Sequence, residues 1–185
     1  EEMEFSQTYA CPEHGVSVTD LAPRMFSFNN PFGACPKCLG LGEYTSIDPD
    51  LLIPDKSLSI REGAFNCYGW SKAEGGTIAE MYFDGIAKHY GFSIDVPVRD
   101  MKKEDLDKIL YGTGDERIQF ERTTRYSKGT FYTCFEGVVN NLERKYMESN
   151  SELAKRAIEN VMAVHKCEEC HGKRLKPESL AVTVG

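Results

Sequence analysis

Cys35-Pro36-Lys37-Cys38-Leu39-Gly40-Leu41-Gly42, set against Cys11 and His14 upstream and Cys167-Glu168-Glu169-Cys170-His171-Gly172 near the far end, decides how this 185-residue chain is read. Each of the three groups offers two ligand-type side chains with two residues between them. A Cys-x-x-Cys turn brings two thiolates to one ion from a single loop, and a tetrahedral zinc needs two such pairs to close its shell. Spacing favours joining Cys11 and His14 to Cys35 and Cys38, because the 20 residues between His14 and Cys35 allow a short excursion that returns to the metal. Gly15, Gly40 and Gly42 suit a backbone wrapped around bound sulfur, where a Cβ would clash. The bland alternative makes His14 a surface imidazole and the cysteines small buried apolar residues, and it leaves the spacing unexplained.

Cys167 and Cys170 then lack an obvious complement, since Cys67 and Cys134 are isolated in segments of different character. His165 or His171 completes a site locally, or the missing ligands lie outside the chain, or all the Cys-x-x-Cys pairs share one ion. A reduced pair without metal is the remaining reading.

With 41% apolar residues the chain can form cores, and no stretch approaches the roughly 20 apolar residues of a membrane span. No signal peptide is recognisable. Seven cysteines, an odd number clustered as ligand pairs, argue for a reducing compartment rather than a disulfide framework. The opening Glu-Glu-Met-Glu and the strand-like close, Leu180 to Val184, suggest a piece of something longer.

A formal charge of −7 argues against nucleic acid until its distribution is examined. Residues 1 to 62 carry 4 basic and 10 acidic groups, residues 63 to 115 carry 6 and 9, and residues 116 to 185 carry 12 and 10. Within the last part Arg117, Arg122, Arg125 and Lys128 enclose only Glu121 as an opposing charge, with Phe120, Tyr126, Phe131 and Tyr132 interleaved or close behind. Basic groups among aromatics can hold phosphates while rings pack on sugars or exposed bases. A solvated hairpin face has the same appearance.

The expected fold class is α+β: a small zinc-bearing module of strands and turns with an inserted domain of helices and a β-ribbon. Residues 1–60, rich in Pro, Gly and Asn, form the module, residues 61–150 the inserted domain, and residues 151–185 a return helix, the second knuckle and a strand. From Thr77 the apolar positions Ile78, Met81, Tyr82, Ile86 and Tyr90 recur at helical spacing, with Thr77 as cap and Gly91 as stop. Leu106, Ile109 and Leu110 mark a shorter helix ending at Gly112. Residues 116 to 135 alternate as a two-stranded ribbon turning near Ser127-Lys128-Gly129. Val138, Val139, Leu142 and Tyr146 predict another helix. Ser149-Asn150-Ser151-Glu152 resembles a capping box opening a last one, with Leu153, Ala157, Val161 and Val164 on one side, running into the Cys167 knuckle.

No catalytic set is found. Gly75-Gly76 and Gly112-Thr113-Gly114 lack the Gly-Lys-Ser/Thr ending of a phosphate-binding loop, and no helical His-Glu-x-x-His is present. The acidic groups sit in a Pro-containing loop (Asp48, Asp50, Asp55) or around a helix start (Asp100, Glu104, Asp105, Asp107), where carboxylates favour the positive dipole end. A fully ligated zinc has no open position for water, so the metal is expected to be structural.

Residues Leu21 to Gly42, containing Phe28-Asn29-Asn30-Pro31-Phe32-Gly33 and the first full knuckle, resemble the zinc module of UvrA, a family of ABC excinuclease components. Phe135-Glu136-Gly137-Val138-Val139-Asn140-Asn141-Leu142-Glu143-Arg144 is similar to that family's insertion region. Cys167 to Lys176 is similar to the stretch where the insertion returns to the first ATPase half. The resemblance implies nucleotide excision repair in the bacterial cytoplasm, with dimers that bind duplex DNA, preferentially damaged, and work with excinuclease subunits B and C. ATP and Mg2+ belong to the parent protein's ABC modules, whose phosphate loop and signature are not in this sequence. For this chain it implies a DNA-binding insertion domain on a structural Zn2+ module, with Arg117, Arg122, Arg125, Lys128, Arg144 and Lys145 as phosphate neutralisers and no catalytic activity or membrane contact. His14 departs from the family pattern, which has cysteine there, so three thiolates and one imidazole are expected. The partners of Cys167 and Cys170 are expected upstream of residue 1. A chaperone-like module of the J-domain co-chaperone type, or a purely structural insertion with a protein partner, is the alternative.

Overall fold

Buried side chains fall into two clusters of unequal size, one apolar and one of four cysteines, and the chain divides accordingly. In the computed structural model, which describes residues 9–10, 17–18, 22–123 and 128–182, one unit comprises Glu1–Thr45 with Val164–Gly185 and the other Ser46–Ala163. The second unit is wider at both ends than the 61–150 expected from composition. Leu52, Ile53 and Ile60 on one side and Ile158 and Val161 on the other all belong to its core, so burial carries the boundary outward past the loops that composition marks.

In the first unit β1 (Tyr9–Ala10) pairs antiparallel with β2 (Ser17–Val18), and a 3-10 turn follows at Pro23–Phe26. The chain leaves along β3 (Glu43–Ile47) and returns along β6 (Met162–Lys166), and these two strands pair. Cys167 N donates to Gly42 O at 2.9 Å and Asp48 N to Val161 O at 2.9 Å, so the strands run in opposite directions. A one-turn helix at Pro177–Leu180 lies near the end of the described residues. Leu180 is therefore helical, where a strand was expected, because Pro177 fixes φ at a first helical position.

The second unit opens with a one-turn helix α1 (Pro49–Leu52), capped by the Asp48 carboxylate. Helix α2 (Ile78–Tyr90) begins at Thr77, whose hydroxyl accepts from Glu80 N, and stops at Gly91 with φ of 75°. Helix α3 (Lys103–Tyr111) ends at Gly112. Strands β4 (Arg117–Thr123) and β5 (Lys128–Cys134) form the ribbon, in register from Arg117 opposite Cys134 to Thr123 opposite Lys128. Lys128 and Gly129, expected near the turn, are strand residues, and Ser127 lies outside the described residues. Helices α4 (Val138–Glu148) and α5 (Glu152–Glu159) follow, the latter capped by Ser151 Oγ.

The last helix was expected to run into the second knuckle; it ends at Glu159, and Val161 and Val164 lie instead in or beside β6. Two β-branched residues in this short stretch favour the pleated conformation once β3 supplies a pairing edge. Leu153, expected on one side of the last helix with Ala157, Val161 and Val164, is 80% exposed, while Ile158 is fully buried.

The core of this unit is aromatic at its centre. Phe65 stacks on Phe83 with centroids 5.4 Å apart, Trp70 meets Phe83 at 5.4 Å and Phe135 at 5.8 Å, and Tyr82 meets Phe120 edge-on at 4.9 Å. Such pairs contribute about 0.5–1.5 kcal/mol each beyond area burial. Helix α2 lies close on β4 because Gly85 has no side chain: a Cβ there would stand 2.4 Å from Phe120 Cδ1.

Candidate metal centre and nucleic-acid surface

Two knuckles of matching sequence adopt matching backbones. After Cys38 come Leu39 at φ 51° and Gly40 at φ 83°; after Cys170 come His171 at φ 50° and Gly172 at φ 83°. Leu41 N donates to Cys38 O at 2.9 Å and Lys173 N to Cys170 O at 2.8 Å. The correspondence continues between the knuckles: Cys35 N donates to Arg174 O and Cys167 N to Gly42 O, both at 2.9 Å. A local two-fold therefore relates the loops, and each supplies the hydrogen-bond acceptor for the first cysteine of the other. Gly40 is obligatory, since a Cβ would lie 2.0 Å from Phe28 O.

This symmetry brings the sulfurs of Cys35, Cys38, Cys167 and Cys170 within 4.8 Å of one another, all four buried. Cys35 Sγ stands 3.8 Å from Cys167 Sγ and Cys38 Sγ 3.7 Å from Cys170 Sγ. Disulfide sulfurs lie about 2.05 Å apart. Four thiolates around a tetrahedral zinc, each about 2.3 Å from the ion, are separated by about 3.8 Å. The cluster has the chemistry and dimensions to hold a metal ion. Burial pushes the Cys35 thiol up. At Cys38 burial also acts upward but is outweighed by hydrogen bonds from the Gly42 and Gly40 N–H groups and the neighbouring thiols, which bring it down; Gly42 N lies 3.1 Å from its sulfur.

Side chains around the sulfurs brace the two loops. Arg174 donates from Nε to Gly40 O at 2.7 Å and lays its guanidinium 3.7 Å above the centre of the Phe28 ring. Lys37 reaches Glu168 at 2.7 Å, an exposed pair of small energetic weight.

The structure thus gives Cys167 and Cys170 their complement inside the chain, in Cys35 and Cys38. The reading that reserved Cys35 and Cys38 for Cys11 and His14, and sought the other pair's partners upstream of residue 1, is corrected to that extent. The physical reason is that spacing limits only local closure, whereas the pairing of β3 with β6 closes a loop of 132 residues' separation. Cys11 and His14 lie outside the described residues. The available signal was the shared Cys-x-x-Cys-x-Gly pattern, a pair of equivalent half-sites.

On the ribbon, Ile118 and Phe120 are buried and Arg117, Gln119 and Glu121 face outward with Tyr132 and Thr130 across from them. Tyr132 donates its hydroxyl to Gln119 at 3.0 Å, and Arg117 donates to Tyr132 O at 3.2 Å. The acid among them, Glu121, is bound by Lys88 of α2 at 2.7 Å, and that ammonium holds its carboxyl below the usual range. Arg122 and Lys128 are exposed and, among the described residues, form no ion pair. Arg125 lies outside the described residues. Arg144 is differently placed: its guanidinium holds both oxygens of Glu136, at 2.8 and 3.0 Å, and Glu148 at 2.8 Å. Those bonds raise its pKa and leave it little capacity for phosphate. Lys145, next to it, carries no such pair among the described residues. The neutralising contribution of Lys88 went unseen in the sequence because it sits 33 residues from Glu121.

The family model of the UvrA DNA-binding domain matches residues 48–160, nearly the span of the second unit. The chain is 42% identical over 181 residues to UvrABC system protein A of Clostridium perfringens, covering 98% of this chain and 19% of that protein. It is 42% identical over 191 residues to UvrABC system protein A of Bacillus subtilis, covering 100% of this chain and 19% of that protein. The crystal structure of UvrA2 from Deinococcus radiodurans superimposes with a TM-score of 0.71 at 26% identity, over 94% of this chain and 22% of that one. The chain thus spans about a fifth of the length of these relatives.

Proposed function

We propose that this chain, which belongs to the UvrA DNA-binding domain family, is the DNA-contacting insertion of a nucleotide excision repair protein, carried on a zinc module of four thiolates. The observation that supports it most directly is the ribbon. Its acid, Glu121, is neutralised from α2, so Arg117, Arg122 and Lys128 present positive charge to solvent despite a net −7 for the chain. Such groups neutralise phosphates and release counterions; they position a duplex without reading its bases. Preference for damaged duplex then follows from how readily the DNA bends or unwinds. The zinc assignment rests on the sulfur separations, which match a tetrahedral thiolate site. With its shell filled by sulfur such an ion offers no position for water, so its role is to hold the loops.

In the longer polypeptide, ATP and Mg2+ would bind ABC modules outside this sequence. Dimer formation, cooperation with excinuclease subunits B and C and a cytoplasmic location belong to that whole protein. Among the described residues no helix is long and apolar enough to cross a membrane.

The test is duplex binding across a salt series by wild type and the Arg122→Glu, Lys128→Glu double variant. Loss of two phosphate contacts lowers the slope of log K against log salt by about 2. An unchanged slope would remove the ribbon from the interface.

A further inference from the structure

Beside the ribbon lies a hollow of about 620 Å3 whose lining includes Tyr68, Trp70, Ile78 and Tyr82 together with Asn141 and Lys145. That volume is within the range of small-ligand sites, about 300–1,000 Å3. We propose that it accepts a single unstacked nucleotide of the bound DNA, its base packed against Tyr68 and Ile78 and its phosphate at Lys145. The inference rests on the DNA-contacting reading above and deepens it.

Apolar surface is held open at the rim. Tyr68 is 53% exposed and Ile78 61% exposed, while Trp70 beneath them is buried. Solvent-facing rings and aliphatic chains around a concavity suit a flat, partly polar body such as a base. The floor is polar but already engaged. Trp70 Nε1 donates to Asn141 Oδ1 at 3.2 Å, Asn141 Nδ2 donates to Glu136, and Arg144 holds both Glu136 oxygens. With those groups occupied, little remains to distinguish one base edge from another. Recognition by packing and charge is tolerant of sequence, as a sensor of distortion requires.

Charge selects the occupant. Three charged side chains line the hollow, Glu136, Arg144 and Lys145; Arg144 is engaged by Glu136 and by Glu148 outside the lining, whereas Lys145 has no ion-pair partner among the described residues. An anion attached to a ring therefore fits better than a neutral aromatic side chain. The hollow also continues the ribbon. Cys134, the last residue of β5, lines it, and Lys128, Thr130 and Tyr132 alternate along the same side of that strand, a run of about 20 Å at the usual rise. A backbone following the ribbon is led to the opening. Extruding a base costs least where pairing is already broken, so the pocket favours distorted duplexes over intact ones.

The experiment uses the purified protein and two duplexes: one with a single 2-aminopurine opposite an abasic position, one fully paired. Wild type is expected to prefer the first and to quench its fluorescence on binding. Tyr68→Ala, with thermal melting followed by Trp70 emission as the control for folding, should reduce that preference about tenfold while leaving fully paired binding within about twofold; Lys145→Gln should weaken the first duplex more than the fully paired one and so lower the preference as well. Tyr68→Ala also removes the quenching. Preference and quenching retained in both variants would overturn the pocket while leaving DNA contact standing. Arg122→Glu with Lys128→Glu does the reverse, weakening both duplexes alike with the preference intact. Absence of binding to either duplex would overturn both readings together.

Discussion

Cys167 is the residue on which the metal assignment turns, because spacing alone left it without a partner and the fold places it 3.8 Å from Cys35. A serine at either position removes one of four sulfur ligands from the buried cluster. On the proposed zinc assignment, Cys35→Ser and Cys167→Ser are each expected to lose the metal, measured as zinc per chain by elemental analysis, while His14→Ala retains it. Zinc kept in Cys167→Ser would return the two knuckles to separate sites. Each knuckle was legible in the sequence, since Cys-x-x-Cys is a local geometric device. Their pairing was not, because nothing within a few residues of Cys38 specifies which distant loop will close on it. The charges of the ribbon show the same division. Arg122 and Lys128 could be named from their positions, yet the bonds that occupy Arg144, to Glu136 and Glu148, became visible only once helix α4 was formed and turned.

Helix α2 and strand β4 show what an element must give up to pack closely. Gly85 is a poor helix former by about 1 kcal/mol relative to alanine, and it is retained where the Phe120 ring lies against the helix. Gly85→Ala improves the helix and still drives a methyl group into a fully buried ring. Net destabilisation of about 1–3 kcal/mol is expected, the usual cost of overpacking, read as a lower urea midpoint. Phe120→Leu in the same chain should recover part of it, and an alanine variant as stable as wild type would show that the ring yields freely. The boundaries of α2 were readable because Thr77 and Gly91 perform local tasks, capping and reversal. The segment from Leu153 to Val164 was misread for the opposite reason. Its apolar spacing satisfies a helix as well as a strand, and the choice fell to β3, more than 100 residues earlier.

At the scale of the whole molecule, the two units hold themselves together by different means. The second has 25 buried apolar residues in one cluster, all between Ile47 and Val161. In the first, the described residues form a buried cluster of four cysteines, too little apolar surface to offset the entropy of ordering its loops. On the proposed zinc assignment, metal binding is the main source of its order. A chelator is expected to increase hydrogen exchange at residues 33–42 and 167–176, while the thermal midpoint followed by Trp70, the sole tryptophan and a member of the larger core, stays where it was. A fall in that midpoint on chelation would show that the larger core depends on the ion as well.

The adjacent entry and exit along β3 and β6 make the larger unit a cassette. Its first and last residues sit on neighbouring strands, about 5 Å apart by the geometry of a β-ladder, so a tight reverse turn could take the place of more than 100 residues without re-routing the knuckles. Such a doorway lets the larger unit be lengthened, shortened or exchanged while the sulfur-bearing frame keeps its register.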